Sequence, residues 1–191
     1  IFPSFSLAWR LSDESFMKGI GWISDLKLRG SYGTMGNQLA ISPQNQFYLY
    51  GGSANQSFYD VNGTFTSSLQ GFRPTRIGNA NAKWETNITT NIGFEGTFWN
   101  NKLGIVFDWY KKTTEDLLYA LELPGTAGGA DVPYVNLASM QNSGVDFELS
   151  YKNSWGDFGV NASWLLTTYK NEITKIAEGV RFFDSGGSRI G

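Results

Sequence analysis

Thr86-Asn87-Ile88-Thr89-Thr90-Asn91-Ile92-Gly93-Phe94-Glu95-Gly96-Thr97-Phe98, then Trp99-Asn100-Asn101-Lys102, then Leu103-Gly104-Ile105-Val106-Phe107-Asp108-Trp109-Tyr110, is the stretch whose reading decides the fold. Ile88, Ile92, Phe94 and Phe98 share one parity, interrupted only by Thr86, Thr90 and Gly96, while Asn87, Thr89, Asn91, Gly93, Glu95 and Thr97 hold the other. Successive side chains of a strand point to opposite faces, so this run is a strand with one apolar and one polar side. Asn100-Asn101-Lys102 reads as a tight turn. After it Leu103, Ile105, Phe107 and Trp109 resume the apolar face, and Gly104, Val106, Asp108 and Tyr110 continue the polar one. Two strands cannot bury such a face alone, so the hairpin belongs to a larger sheet covered on its apolar side by a second sheet or by lipid.

The same alternation recurs outward from the hairpin. Phe5, Leu7, Trp9 and Leu11 alternate with Ser4, Ser6, Ala8 and Arg10, and Leu26, Leu28 and Tyr32 with Lys27, Arg29 and Ser31. Val145, Phe147, Leu149 and Tyr151 stand against Asp146, Glu148 and Ser150, in a strand expected to begin at Gly144. Phe158, Val160, Ala162, Trp164 and Leu166 oppose Gly159, Asn161, Ser163 and Thr167. Between the first two strands, Ser12 is expected to cap a short helical turn through Asp13, Glu14 and Met17 that ends at Gly19. The second strand of the organising hairpin is expected to extend through Asp116-Leu117-Leu118-Tyr119 to about Leu123, with the alternation broken over residues 111–115.

About six strands result, and their connections alternate in length. Residues 12–25, 100–102 and 153–157 make short turns; residues 34–83, 124–142 and those beyond 170 make loops, the first with room for a small hairpin. Outer-membrane β-barrels carry short turns on one side and long loops on the other, and their strands cross lipid in ~9–11 residues. Trp9, Trp22, Phe98, Trp99, Tyr151 and Trp155 gather at the short-turn ends, as an interfacial aromatic girdle would. A soluble β-sandwich also alternates apolar-in and polar-out, so both covers remain open at this point.

Composition narrows the function more than the fold. The 191 residues carry a net charge of −2, which gives no electrostatic footprint for nucleic acid. Cys and His are absent, which removes a disulfide framework, most zinc sites and every His-dependent catalytic arrangement. No cofactor, metal site or catalytic constellation is expected. An aromatic content of 16% with 23 glycines favours strands and turns. No run approaches the ~20 apolar residues of a membrane helix. Four Asn-X-Ser/Thr triplets, at Asn55, Asn62, Asn87 and Asn161, match a glycosylation sequon, but two lie in mid-strand. The chain opens at Ile1-Phe2-Pro3 in mid-pattern and stops in a glycine-rich stretch, so it is expected to be a fragment.

Five segments resemble, in order, the SusC/RagA-type TonB-dependent outer-membrane transporters of Bacteroidetes. They are Phe2-Pro3-Ser4-Phe5-Ser6-Leu7-Ala8-Trp9-Arg10 with Ser12-Asp13-Glu14-Ser15-Phe16, and Leu26-Lys27-Leu28-Arg29-Gly30-Ser31-Tyr32-Gly33-Thr34-Met35-Gly36-Asn37-Gln38. Asn79-Ala80-Asn81-Ala82-Lys83-Trp84-Glu85-Thr86 follows, with Ala80 where the family usually has proline. Asp108-Trp109-Tyr110-Lys111-Lys112-Thr113-Thr114-Glu115-Asp116-Leu117-Leu118 and Met140-Gln141-Asn142-Ser143-Gly144-Val145-Asp146-Phe147-Glu148-Leu149 complete the set. The resemblance implies an all-β fold: antiparallel strands forming part of a large transmembrane barrel of the ~22-stranded plugged class, with long extracellular loops. Residues 1–191 are then part of the barrel domain, without its plug and terminal strands. It also implies import of oligosaccharides or peptides, energy from the inner-membrane TonB complex, and a SusD-like surface lipoprotein as a lid.

Two residue sets follow from that topology. Arg10, Lys27, Arg29, Glu95, Asp108, Asp146 and Glu148 would face the lumen and the plug, while the lipid-facing set is uncharged within the bands just drawn. Aromatics of the first long loop, Phe47, Tyr48, Tyr50, Phe58 and Tyr59, with Tyr134 of the second, would offer flat faces to a glycan or peptide, beside many carboxamide donors and acceptors.

Overall fold

The computed structural model describes residues 1–38, 41–64, 68–120, 125–176, 183–185 and 188–190. Among them there is no α-helix; the chain is strands, turns and three short 3-10 segments. The long strands are β1 (Ser4–Arg10), β2 (Ile23–Asn37), β5 (Glu85–Phe98), β6 (Leu103–Ala120), β7 (Tyr134–Trp155) and β8 (Phe158–Ile176). They form one antiparallel six-stranded sheet in the order β1-β2-β5-β6-β7-β8. Two small pairs complete the set, β3 (Leu49–Gly51) with β4 (Arg73–Arg76) and β9 (Phe183–Ser185) with β10 (Ser188–Ile190). The chain divides into two compact units. One holds residues 1–36, 86–115 and 139–175, and the other holds residues 37–85, 116–138 and 176–191.

In the first unit the hairpin has the register its sequence dictates. Ile92 pairs with Trp109, Phe94 with Phe107 and Phe98 with Leu103 on one face; Gly93 pairs with Asp108 and Asn91 with Tyr110 on the other. The Phe94 and Phe107 rings stack at 5.7 Å. Trp99, Asn100 and Asn101 all adopt positive φ (51°, 55° and 62°), a conformation that asparagine tolerates better than most residues, which is how the turn closes. In β1 and β2 the facing pairs Trp9–Leu28 and Phe5–Tyr32 continue the apolar face, and Arg10–Lys27 and Ala8–Arg29 the polar one. On the far side Phe147 meets Trp164 edge-on at 5.8 Å, so β7 and β8 present their apolar residues together.

No described hydrophobic residue is buried. A sandwich of this size would bury one face of each sheet against the other, whereas here Phe5, Leu7, Ile92, Trp109 and Trp164 stand exposed. The turn ends carry the aromatic clusters: Trp22 stacks on Phe98 at 5.6 Å and meets Trp99 at 6.2 Å, and Trp9 meets Phe16 at 6.5 Å. The apolar face gives way on β6 to Lys111, Thr113 and Glu115, which pair with Thr90, Ile88 and Thr86. Lys111 lies on the apolar side near that rim, where a lysine stem can carry its ammonium toward water.

Several boundaries differ from the sequence reading. Strands β2, β5, β6, β7 and β8 run 15, 14, 18, 22 and 19 residues, well beyond a bilayer crossing. β2 continues past Thr34 to Asn37, and β7 begins at Tyr134, ten residues before Gly144. Residues 134–143 have no uniformly apolar face, so alternation is silent there and hydrogen bonds define the strand instead. The expected end of β6 near Leu123 lies outside the described residues, as do Gly179, Gly186 and Gly187 of the loop expected beyond residue 170 and a further aromatic of the first loop, Phe65. Ser12 does not cap: it sits inside a 3-10 turn (Leu11–Asp13), and its Oγ donates to Asp25 Oδ1 at 2.6 Å. The small hairpin expected within the first loop exists as β3 and β4, joined with a register shift between Leu49 and Tyr50.

Candidate functional site

The polar face of the first unit centres on Arg29 of β2. Its Nε donates to Asp108 Oδ1 at 3.1 Å and its Nη2 to Asp108 Oδ2 at 2.5 Å, in the bidentate fork that suits guanidinium and carboxylate. Its Nη1 pairs with Glu95, and Lys27 Nζ lies 3.9 Å from the other Glu95 oxygen. The two cations and two carboxylates balance, and they join β2, β5 and β6. Gly93 makes the cluster possible, because a Cβ there would strike the Asp108 carboxylate and the Phe107 carbonyl. Toward the turn end Arg10 Nε pairs with Asp25 at 3.2 Å and its Nη1 with Asp13 at 3.8 Å. Of the predicted lumen set, the structure thus draws Arg10, Lys27, Arg29, Glu95 and Asp108 into ion pairs. Asp146 and Glu148 lie on the same face of β7, outside any ion pair among the described residues.

Asp25 stands at the turn end of β2, outside the apolar band. The Ser12 hydroxyl holds its carboxyl below the usual range, against a desolvation cost and with help from Arg10.

The second unit is held by carboxamides bound to its own backbone. Asn45, only 5% exposed, accepts from Tyr134 N at 2.9 Å and donates to Tyr134 O at 3.2 Å. Asn79 donates to the same carbonyl at 2.9 Å and accepts from Asn81 N at 3.0 Å. Asn136 clamps Lys83 from both sides, at 2.8 and 2.9 Å, and also donates to Asp116 O at 2.6 Å. Glu85, 8% exposed, accepts from Leu118 N at 3.0 Å and from Asn37 Nδ2 at 2.8 Å. Gly78 lies against the Phe47 carbonyl carbon, 2.5 Å from where a Cβ would stand, so only glycine fits. The segment from Asn79 to Glu85 therefore works as a fastening that binds the loop to the ends of β6 and β7.

The predicted loop aromatics do not converge. Phe47, Tyr48, Tyr50 and Tyr59 are exposed, from 54% at Phe47 to 65% at Tyr50, and Phe58 and Tyr134 are half-buried. Tyr59 forms a backbone bridge with Leu69, at 3.1 and 2.9 Å, and Tyr134 is fixed through its main chain. No ring contact joins the six among the described residues. A concavity of this unit, about 560 Å³, is lined instead by Trp84 with Gln38, Gln46, Asn45 and Asn79. Trp84 was legible in the sequence only as part of a resembling motif, and the fastening role of Asn45, Asn79, Asn136 and Glu85 carries no periodic signal at all.

An antiparallel sheet with an uncovered apolar face, a polar face carrying a balanced four-residue ion cluster, and aromatic clusters at its short turns has the pattern of a β-barrel wall. The family model described as TonB dependent receptor-like, beta-barrel matches residues 1–189, and the chain belongs to that family. It is 33% identical over 180 residues to the TonB-dependent receptor SusC of Bacteroides thetaiotaomicron, covering 93% of this chain and 17% of that protein. It is 32% identical over 190 residues to a TonB-dependent receptor of Formosa agariphila, covering 99% of this chain and 17% of that one. Among solved structures it is similar to the RagAB peptide importer in its closed-closed state, with a TM-score of 0.77 at 28% identity, over 100% of this chain and 20% of that one. The chain thus spans about a fifth or less of the length of these relatives.

Proposed function

We propose that this chain is part of the barrel wall of an outer-membrane, TonB-dependent nutrient importer that takes up oligosaccharides or peptides. The observation that carries this reading is the uncovered apolar face: no described hydrophobic residue is buried, although large apolar residues line one side of six strands. Lipid is the cover that such a face fits, since a closed transmembrane barrel alternates apolar-out and polar-in. On this reading the Arg29 cluster, with Arg10, Asp146 and Glu148, faces the lumen and the plug. The short turns lie on the periplasmic side and the loop unit on the cell surface.

The inner-membrane TonB complex would energise uptake through parts of the receptor outside this chain. A SusD-like lipoprotein would cover the loop unit, where Phe47, Tyr48, Tyr50 and Tyr59 are solvent-facing and open to a partner or a ligand. No catalytic step is assigned to any residue.

Uptake tests the proposal. A strain lacking the receptor should lose import of one class of labelled oligosaccharide or peptide, and a protonophore should abolish the same import in the parent strain. Recovery of the receptor in the soluble fraction, or unchanged uptake of both ligand classes in the deletion strain, would refute it.

A further inference from the structure

The Trp84 cleft of the second unit is built before any ligand arrives. One wall runs from Gln38 to Gln46 and the other from Asn79 to Trp84, around a space of about 560 Å³. That lies within the ~300–1,000 Å³ of small-ligand sites. Asn79 N donates to Asn45 O at 2.7 Å, and the carboxamides of both residues converge on Tyr134 O, so the two walls are fastened together. A fixed shape spares much of the ordering cost of binding.

Three features of the lining select the ligand. No charged side chain lines the cleft among the described residues, so a carboxylate, sulfate or ammonium group would leave water for no counter-charge. Neither wall is a strand: β2 ends at Asn37, residues 43–46 form a 3-10 turn, and β5 begins only at Glu85. An extended peptide therefore finds no edge to pair with. The third feature is which polar groups are left over. Asn45 and Asn79 commit both ends of their carboxamides to main-chain atoms. The side chains of Gln38 and Gln46 bond to nothing among the described residues. Ser42 Oγ accepts from Gln44 N at 3.2 Å and keeps its proton to donate. Trp84 lines the same space and is 51% exposed. Carboxamides and a hydroxyl beside an aromatic plane match a neutral sugar ring, whose C–H face packs on indole and whose hydroxyls each donate and accept.

We infer that the Trp84 cleft is a subsite for a neutral oligosaccharide, as opposed to an anionic glycan or a peptide. This deepens the importer reading and rests on it for why the loop unit meets a glycan. Binding of the intact purified receptor to an array of neutral, uronate and sulfated oligosaccharides and of charged and uncharged peptides tests it. The expected result is binding of a neutral oligosaccharide that high salt leaves unchanged. W84A and Q38A/Q46A should each weaken it on the order of tenfold, as the loss of a stacking face or of paired hydrogen bonds implies, and W84F should retain most of it. Hydrogen exchange at the Tyr134 amide, which Asn45 holds, should stay as slow as in the parent protein, separating lost binding from a loosened loop. If W84A does loosen the loop, Q38A/Q46A decides. Three outcomes overturn the inference: no binding of any neutral oligosaccharide, undiminished binding in Q38A/Q46A and W84A alike, or a salt-sensitive anionic or peptide ligand that W84A releases. None of them touches the importer reading, which uptake in the deletion strain decides separately.

Discussion

Replacing Phe94 by arginine tests the lipid-facing assignment where it is most exposed to refutation. Phe94 pairs with Phe107 on the apolar face, four residues from the turn-end pair Phe98–Leu103. At ~3.3 Å per residue that is ~13 Å along the strand, and a tilt of ~45° reduces it to ~9 Å of depth. The apolar band of an outer-membrane barrel is ~25 Å tall, so its midplane lies ~12 Å from the girdle, between Phe94 and Ile92. Arginine near that depth should cost ~2–4 kcal/mol, falling to ~0–1 near the interface. Phe94→Arg also loses its stacking on Phe107, worth ~0.5–1.5 kcal/mol, a loss that Phe94→Leu measures separately. Urea titration of the receptor folded into phosphatidylcholine vesicles should therefore rank Phe94→Arg as most destabilised, with Phe98→Arg and Phe94→Leu clearly milder. If Phe94→Arg costs no more than Phe98→Arg, depth does not matter and the face is not in lipid.

Four further outcomes follow from the sites. Arg29→Met should destabilise the sheet by ~1–3 kcal/mol, between the values for surface and buried pairs, by leaving Asp108 uncompensated and Glu95 with Lys27 alone. Adding Asp108→Asn, which leaves Glu95 paired with Lys27, should restore much of the loss in a mutant cycle, and additive losses would count against a shared cluster. Asn45→Ala should speed hydrogen exchange at the Tyr134 amide, at a local cost of ~1–3 kcal/mol for the stranded backbone groups; unchanged protection would disprove the clamp. Tyr48→Ala and Tyr59→Ala should leave folding intact, because both rings are exposed, and reduce binding of ligand or lipoprotein; wild-type binding in every loop-aromatic variant would end their assignment. The Ser12–Asp25–Arg10 contact depends on the Asp25 carboxylate, whose folded pKa lies below its ordinary 3.8. Its contribution is thus full at neutral pH and disappears only as pH falls through that depressed value, and an acid titration of Trp9 and Trp22 fluorescence should lose this step in Asp25→Asn.

The organising hairpin was legible to the residue because strict alternation states both faces at once, and a one-residue slip would exchange them. The same rule failed over residues 134–143. There Asn136, Ala138 and Met140 alternate with Val135, Leu137 and Ser139, so neither parity is apolar and the backbone pairs without a hydrophobic signature. Strand ends past the apolar band lose the alternation for the same reason, as Lys111, Thr113 and Glu115 show on β6. The charged residues of the polar face were identifiable one by one from parity, but their grouping was not. Arg29 and Asp108 are 79 positions apart, and only the adjacency of β2, β5 and β6 brings them together.

The loop is where composition misleads most. Its richness in Asn and Gln reads as a surface offering hydrogen bonds to ligand, yet Asn45, Asn79 and Asn136 direct their carboxamides at main-chain atoms of Tyr134, Asn81, Lys83 and Asp116. A long connection that buries none of its described apolar residues cannot hold its shape by burial, and side-chain amides that replace missing ladder bonds are the available substitute. On the importer reading proposed above, recognition would fall to groups outside this internal network. The candidates proposed for it are the exposed rings of Phe47, Tyr48, Tyr50 and Tyr59, and the cleft walled by Trp84. Variants at Asn45 or Asn79 should accordingly weaken binding only as far as they loosen the loop, and restoring the loop by a second stabilising change should restore binding with them. A ring variant should stay defective on an intact loop, and that difference separates the residues that build the surface from those that use it.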